Sequence, residues 1–414
     1  MVYQPPTGAR DLLPLDVAQK YWIEDRLQQV FHQWGYHRII TSTLERLDTL
    51  MAGGAIDRAT VLQLQAPDEE ALGLRPELTA SIARAVVSRI SPTAFPLRLY
   101  YTANVFRRAT ERNSTRQQEF YQAGIELLGG AGVAADAEVL LLLTDSLNHL
   151  ELSDCHLILG EAGLTRSLLS VFPPHLQAQV RQAIAQLDRV ALEQMAMTAD
   201  LRERALLLMD LRGQPADVLR RLGRLGLTSA QQDAVNNLKS FVELFQNSYP
   251  PSLDNPPLRL TLDLTLLRTF DYYTGIVFEV ASNSPAGLVV LGQGGRYDQL
   301  LGQFHPEGNA CPGIGFSLQI EALHQVLSLK GQLPRRLLAS EWLVVPQDDL
   351  SYTIAFQQAH HLRGAGHSVT MALDLIDRSP DEIRHHARSR HVAQIAWVMA
   401  DGDVITESVT DKPG

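Results

Sequence analysis

Carboxylates, arginines, tyrosines and an amide recur on and beside the segments of this sequence that are predicted to be extended. In chain order, these polar residues are Arg75, Glu77, Thr79, Arg107, Gln122, Glu126, Arg268, Tyr272, Tyr273, Arg296 and Tyr297. On one sheet face, such groups can neutralise an α-amino group, an α-carboxylate and a polar side chain together, because they supply both donors and acceptors. The pattern favours a site for an amino acid.

Each of these features also has an interpretation without a ligand. Glu77 and Glu126 could be surface partners of nearby arginines, since exposed ion pairs are common and contribute little. Tyr272 and Tyr273 are predicted to lie on opposite faces of a strand, which assigns one of them to the core.

Other short patterns are interpreted as structural. A glycine cluster, Gly292, Gly294 and Gly295, is interpreted as a backbone turn, with a phosphate cradle as the alternative. Two histidine pairs, at 360–361 and 385–386, are expected to be solvated or capping, because neighbours on a helix point about 100° apart. No metal site or cofactor is expected, and no Walker loop, nucleophile elbow or zinc-protease motif occurs.

Two long predicted strands, over 97–107 and 118–128, carry the central polar residues. They are predicted to form an antiparallel hairpin whose basic connection, 108–117, is a mobile loop. A helix over 16–34 opens the domain, because its apolar residues recur at helical spacing. Leucines at every second position over 258–266 predict a strand, and a further strand is predicted over 270–280.

The length of 414 residues predicts two or three domains. A core domain is expected over 1–333, with a mainly helical insertion at about 163–250. Residues 339–414 are expected to form a small α/β domain with a mainly parallel sheet, because strand and helix patterns alternate there.

Composition excludes several classes of protein. The balance of 36 basic and 46 acidic residues gives a net charge of −10, which argues against polyphosphate binding as the main function. Cys155 and Cys311 are too few for a disulfide framework and indicate a reducing compartment. With no secretory signal and no apolar run long enough for a bilayer, we expect a cytoplasmic protein without a membrane partner.

Several strings together resemble the class II histidyl-tRNA synthetase family over nearly the whole chain. In order they are GARDLLP, WGYHRI, LRPELTA, VFRR, QEFYQAGIELLG, RTFDYYTGIVFE, GGRYDQLL and GIGFSLQIEAL. The resemblance implies an α+β fold, in which a class II synthetase-like antiparallel sheet is flanked by helices. It also implies a helical insertion and a small α/β C-terminal domain.

The resemblance also implies roles for individual residues. Glu77, Thr79 and Gln122 would face the α-amino and carboxylate groups of histidine. Glu126, Tyr273 and Tyr297 would read the imidazole by hydrogen bonds that a simple aromatic ring cannot make.

The phosphate-facing residues of the family have counterparts as well. Arg107 matches the arginine that holds the ATP α-phosphate. Arg268 matches the arginine of the histidine motif, which also contains Tyr272, and Arg116 is a possible residual phosphate ligand.

Three departures from the synthetase pattern weigh against a working synthetase. Ala322 replaces the arginine that clamps ATP. Ala109 replaces an acidic residue that holds the nucleotide, unless Glu111 in a longer loop substitutes for it. Ser42 stands where the family has a proline at its dimer interface.

The C-terminal region departs too, because residues 341–414 carry 11 acidic and 6 basic residues. We also expect it to be without the last helix and strand that an anticodon-binding domain usually has. We therefore expect poor affinity for tRNA.

A histidine pocket without an ATP clamp resembles the family of ATP phosphoribosyltransferase regulatory subunits. That family implies a non-catalytic chain that assembles with the short-form catalytic subunit and conveys feedback inhibition by histidine. It also implies a homodimer within a hetero-oligomer. An authentic histidine–tRNA ligase remains an alternative, favoured by Arg107, Arg116 and Arg268, and a stand-alone histidine-binding module is a third.

Overall fold

The computed structural model describes residues 4–52, 54, 56–65, 71–90, 94–108, 117–248, 258–266, 273–285, 287–373 and 378–409. Within these ranges the chain divides into two compact units, Met1–Pro334 and Arg335–Gly414. The predicted mobile loop falls largely outside the described residues. None of the described helices is both long enough and apolar enough to cross a membrane.

The helices of the first unit are α1 (Pro14–Gln33), α2 (Leu47–Met51), α3 (Thr79–Arg89), α4 (Gly132–His149), α5 (Ala162–Leu169), α6 (Pro174–Gln186), α7 (Arg189–Gln194), α8 (Ala199–Met209), α9 (Pro215–Leu222), α10 (Ser229–Ser248) and α11 (Ile320–Lys330). Its strands are β1 (His37–Arg38), β2 (Leu44–Arg46), β3 (Gln63–Gln65), β4 (Ala71–Leu74), β5 (Leu97–Phe106), β6 (Glu119–Leu128), β7 (Cys155–Glu161), β8 (Arg212–Gly213), β9 (Arg259–Asp263), β10 (Ile276–Ser284), β11 (Gly287–Arg296) and β12 (Gly313–Gln319).

A nine-stranded sheet forms the centre of this unit, in the order β1-β5-β6-β12-β11-β10-β7-β9-β8. Its central pairs are antiparallel, and β1 with β5 and β7 with β9 are parallel. The predicted hairpin is the β5–β6 pair, in register from Leu97 opposite Leu128 to Phe106 opposite Glu119. A second sheet of this unit has three strands, in the order β2-β4-β3.

Alternation along β6 divides the two faces of the sheet, because successive strand residues point to opposite sides. Ile125 and Leu127 belong to the large core that includes buried residues of α1, α4 and α11. Leu99 and Tyr101 of β5 belong to a separate cluster on the other face, with α3. Helices therefore bury one face, and the other face carries the polar residues of the site.

The glycine cluster is not a turn, and the interpretation of Gly292, Gly294 and Gly295 as one is wrong. All three lie inside β11. A Cβ atom at Gly292 would come within 2.5 Å of the Ser317 carbonyl oxygen, and one at Gly295 within 2.8 Å of the Tyr273 ring. These glycines allow close packing against neighbouring groups, which is another reason for glycine in a strand.

The second unit contains β13 (Trp342–Pro346), α12 (Tyr352–Gly364), β14 (Val369–Met371), α13 (Pro380–Ser389), β15 (Gln394–Val398) and β16 (Val404–Ser408). Its sheet has the order β14-β13-β15-β16. The first three of these strands are parallel, as the alternating pattern predicts. The antiparallel edge strand β16 was not predicted.

Candidate functional site

Two cross-strand rows of residues form the floor of a cleft on the open face of the large sheet. In the first row, Glu126 pairs with Gly315, which pairs with Gly295. In the second row, Gly124 pairs with Ser317, which pairs with Gln293. The two rows are two residues apart along each strand, so all of these positions point into the cleft.

Glycines in this floor make room for the functional side chains that lie above them. A Cβ atom at Gly124 would come within 2.5 Å of the Tyr101 hydroxyl, and one at Gly315 would overlap the Glu126 carboxylate. Since a larger residue would displace these groups, the sheet can hold them only over a bare backbone.

Glu126 is the most enclosed acid of the cleft, with 2% of its surface exposed. The Thr79 hydroxyl donates to its Oε1 atom at 2.7 Å, and the Tyr297 hydroxyl donates to its Oε2 atom. Burial raises the pKa of Glu126 to about 8, although both hydrogen bonds oppose the rise. The ionised carboxylate is therefore costly in the empty cleft, and a positively charged or donating ligand would stabilise it.

Glu77 lies at the beginning of α3, where backbone N–H groups are unpaired. Its Oε2 atom accepts from the Thr79 amide at 2.6 Å, and its Oε1 atom accepts from the Ala80 amide at 3.0 Å. Burial raises the pKa of Glu77, while these bonds and the charge of Arg107 lower it. These two bonds fix the Glu77 carboxylate relative to Thr79, and the Thr79 hydroxyl in turn holds the Glu126 carboxylate.

Arg107 is the cation among the described residues that line the cleft. Its Nε atom donates to the Pro76 carbonyl at 2.9 Å, which anchors the guanidinium beside the carboxylates. Burial lowers the pKa of Arg107, but a guanidinium remains protonated.

Gln122 has unused hydrogen-bonding capacity. Its side chain is 3% exposed, and within the described ranges it has no hydrogen-bond partner. Because buried amides are normally paired, this group is suited to a ligand.

The cavity between these groups has a volume of about 370 Å³, its open mouth included. It is lined by Glu77, Thr79, Tyr101, Arg107, Gln122, Tyr273, Gln293, Tyr297, Gly315, Phe316 and Ser317. Glu126 lies beneath, held by two of the lining hydroxyls. Both acceptors and donors therefore converge on this space.

The structure brings together seven of the predicted site residues: Glu77, Thr79, Gln122, Glu126, Tyr273, Tyr297 and Arg107. Arg116, Arg268 and Tyr272 lie outside the described residues, as do Ala109 and Glu111. The expectation that Tyr273 lies in a strand is wrong, because β10 begins only at Ile276. Gly295 instead leaves space for its ring.

Two arginines of the initial set have structural roles. Arg75 is 5% exposed and donates to the carbonyls of Thr41, Ser42 and Asn104. Arg296 is paired with the buried carboxylate of Asp136 at 2.6 Å. Neither lines the cleft.

Sequence reasoning missed Tyr101, Gln293 and Ser317. Tyr101 could have been found by pairing the two predicted strands, because it is opposite Gly124 in the hairpin. Gln293 and Ser317 depend on the pairing of β11 with β12, which no short motif reveals. Among the residues that the structure describes, no group of three or more histidine, cysteine or acidic side chains could hold a metal ion.

Comparison with known proteins identifies two related groups. The model of the histidyl-tRNA synthetase family matches residues 8–323. The chain is 58% identical to the ATP phosphoribosyltransferase regulatory subunit of Nostoc sp. strain PCC 7120, over 99% of this chain and all of the relative. The regulatory subunit of Gloeothece citriformis is 56% identical over the same share of both chains.

Solved structures agree on the fold. A Bacillus halodurans chain described as an ATP phosphoribosyltransferase regulatory subunit/histidyl-tRNA synthetase has a TM-score of 0.79 and 27% identity, covering 96% of this chain and 99% of that one. Histidyl-tRNA synthetase from Nostoc sp. PCC 7120 has a TM-score of 0.75 and 21% identity, covering 98% and 97%. The predicted class II synthetase-like fold is confirmed.

Proposed function

We propose that the cleft binds free histidine, from the premise that the chain belongs to the family of ATP phosphoribosyltransferase regulatory subunits. Its membership rests on relatives that are 58% identical over the full length of both chains. The protein is thus a non-catalytic subunit in histidine biosynthesis, and a catalytic chain is its partner. The predicted family and the predicted absence of catalysis by this chain are confirmed.

The observation that carries the histidine proposal is the Glu126 carboxylate, held by Thr79 and Tyr297 above Gly315. An imidazole ring has two nitrogens, and at least one of them carries a hydrogen that this carboxylate can accept. The ring would lie between Glu126 and the tyrosines, and the ammonium group would meet Glu77. A phenylalanine ring has no N–H group to donate to this carboxylate, so the site would favour histidine.

Histidine binding would regulate the partner if the ligand binds one assembly state better than another. Such coupling is typically worth about 1–3 kcal/mol, which corresponds to a change of about 5- to 150-fold in affinity. We propose feedback inhibition by this route, within a hetero-oligomer of homodimers and short-form catalytic subunits. Arg268 and Tyr272 belong to the proposed histidine site by family resemblance, and Arg116 to a residual phosphate site.

The ligase alternative requires histidine to be activated by ATP in the cleft, which Arg107 lines. Ala322, however, is a half-buried residue packed against the large core, where the synthetase pattern has its clamp. The full-length relatives are regulatory subunits, which excludes the ligase as this chain's principal function.

Titration calorimetry of the purified chain with L-histidine tests the proposal. We expect one saturable site per chain, and no detectable binding of L-phenylalanine. Equal binding of both amino acids would contradict the assignment of Glu126 as the ring acceptor. Histidine-dependent ATP–pyrophosphate exchange by the same sample would contradict the regulatory function.

A further inference from the structure

We infer that Gln293 and Ser317 hold the α-carboxylate of the bound amino acid and make the cleft specific for a free carboxylate. The inference rests on the proposed histidine site. It assigns the specificity of that site to two residues that the family resemblance does not include.

Sheet register places these residues at the right distance from the ring end of the ligand. Glu126 and Gly315 define the row under the imidazole, and Ser317 and Gln293 belong to the next row. Rows separated by two residues are about 6.6 Å apart along a strand. That spacing is comparable with the length of a histidine molecule, so a ligand with its ring at Glu126 has its main-chain end over the second row.

Both side chains have hydrogen-bonding groups to offer. They line the cavity, and in the part of the chain that the structure describes neither makes a side-chain hydrogen bond. The nearly buried amide of Gln122 faces the same space without a partner. Gln293 and Ser317 are half-buried, and one polar ligand could pair with both of them and with Gln122.

The distribution of charge fixes the direction of the ligand. Glu77 and Glu126 repel a carboxylate and attract the ammonium and the ring N–H groups. The amide of Gln293, the hydroxyl of Ser317 and the Arg107 guanidinium are donors, which a carboxylate requires. Hydrogen bonds to a charged acceptor are about twice as strong as neutral ones.

The position next to Gln293 on the cleft face of β11 is a glycine. Gly295, two residues along the strand, faces the cleft with no side chain of its own. The Gln293 amide can therefore extend over a bare backbone toward the ligand.

The test compares L-histidine with L-histidinol, which has a hydroxymethyl group in place of the carboxylate. Titration calorimetry is performed on the full chain and on the Gln293→Ala variant. We expect the wild type to prefer histidine. In the variant, histidine affinity falls about tenfold or more, as for loss of a hydrogen bond to a charged group, while histidinol affinity changes less than about threefold.

Two further variants make the test specific. Gln293→Glu keeps the size of the side chain but repels a carboxylate, so it should lose histidine binding and retain histidinol binding. Gln319→Ala is the matched control, because this glutamine is two residues beyond Ser317 on β12 and does not line the cavity. It should keep the wild-type ratio of the two affinities.

If Gln293→Ala leaves the ratio of histidine affinity to histidinol affinity unchanged, the carboxylate assignment is overturned while the histidine site remains intact. A wild-type chain that binds neither ligand would instead overturn the proposed function. The two failures are therefore distinguishable in one set of titrations.

Discussion

The substitution Glu126→Gln should weaken histidine binding and yet stabilise the empty protein. The change keeps the shape of the side chain and removes its charge. Histidine binding should weaken by about 1–3 kcal/mol, which is about 5- to 150-fold in affinity, because a charge-assisted hydrogen bond becomes a neutral one. The hydroxyls of Thr79 and Tyr297 can rotate to accept from the new amide.

The gain in stability follows from the pKa of Glu126, which burial raises from 4.5 to about 8. Between these values the folded chain keeps a proton that the unfolded chain has released, so the free energy of unfolding falls as the pH rises through this window. Each pKa unit corresponds to about 1.4 kcal/mol, so the burial of this carboxylate costs a few kcal/mol near pH 8. A glutamine avoids that cost.

Calorimetry with L-histidine and urea unfolding at several pH values between 5 and 8 measure the two effects. Wild-type stability should decline across this range more steeply than that of the variant. Glu321→Gln is a control, because Glu321 is half-buried and its pKa is also raised by burial, but it accepts from the Tyr121 amide and does not line the cleft. Unchanged histidine affinity in Glu126→Gln, or an equal loss in the control, would refute the reasoning.

Three more substitutions test other parts of the account. Gly315→Ala should abolish histidine binding in calorimetry, and overpacking should destabilise the fold by about 1–3 kcal/mol, because the new methyl group would overlap the Glu126 carboxylate; wild-type affinity would contradict the glycine floor. Tyr273→Phe should weaken histidine binding by about 1–3 kcal/mol while the melting temperature stays near that of the wild type; unchanged affinity would remove its hydroxyl from the site. Arg296→Met should lower the free energy of unfolding by about 3–5 kcal/mol, because it leaves Asp136 buried without its cation; a urea midpoint equal to that of the wild type would contradict this role.

Local patterns predicted many elements well. The opening helix, predicted over 16–34, is Pro14–Gln33, and the hairpin strands differ from the prediction by one residue at an end. Thr228 and Gln231 have the spacing of a capping box, and in the structure each backbone N–H donates to the other side chain, at 2.9 and 3.3 Å. These features depend on neighbours in the sequence, so the sequence alone reveals them.

Features that depend on distant neighbours were missed or misassigned. Gly294 signals a turn in isolation, yet it lies in β11, where a Cβ atom would be 2.6 Å from the Phe278 ring. Gln293 and Ser317 have no motif, and only the pairing of β11 with β12 brings them together. Local sequence cannot specify such register, which is set by packing across the whole sheet.

The most direct test of the account measures the activity of the catalytic partner with this chain added, as a function of histidine concentration. With the wild-type chain, we expect histidine to inhibit the complex. With Glu126→Gln, the complex should reach the same activity without histidine but require about 5- to 150-fold more histidine for inhibition, as follows from the loss of 1–3 kcal/mol in binding. An identical inhibition curve for both chains would contradict the claim that the cleft is the histidine sensor.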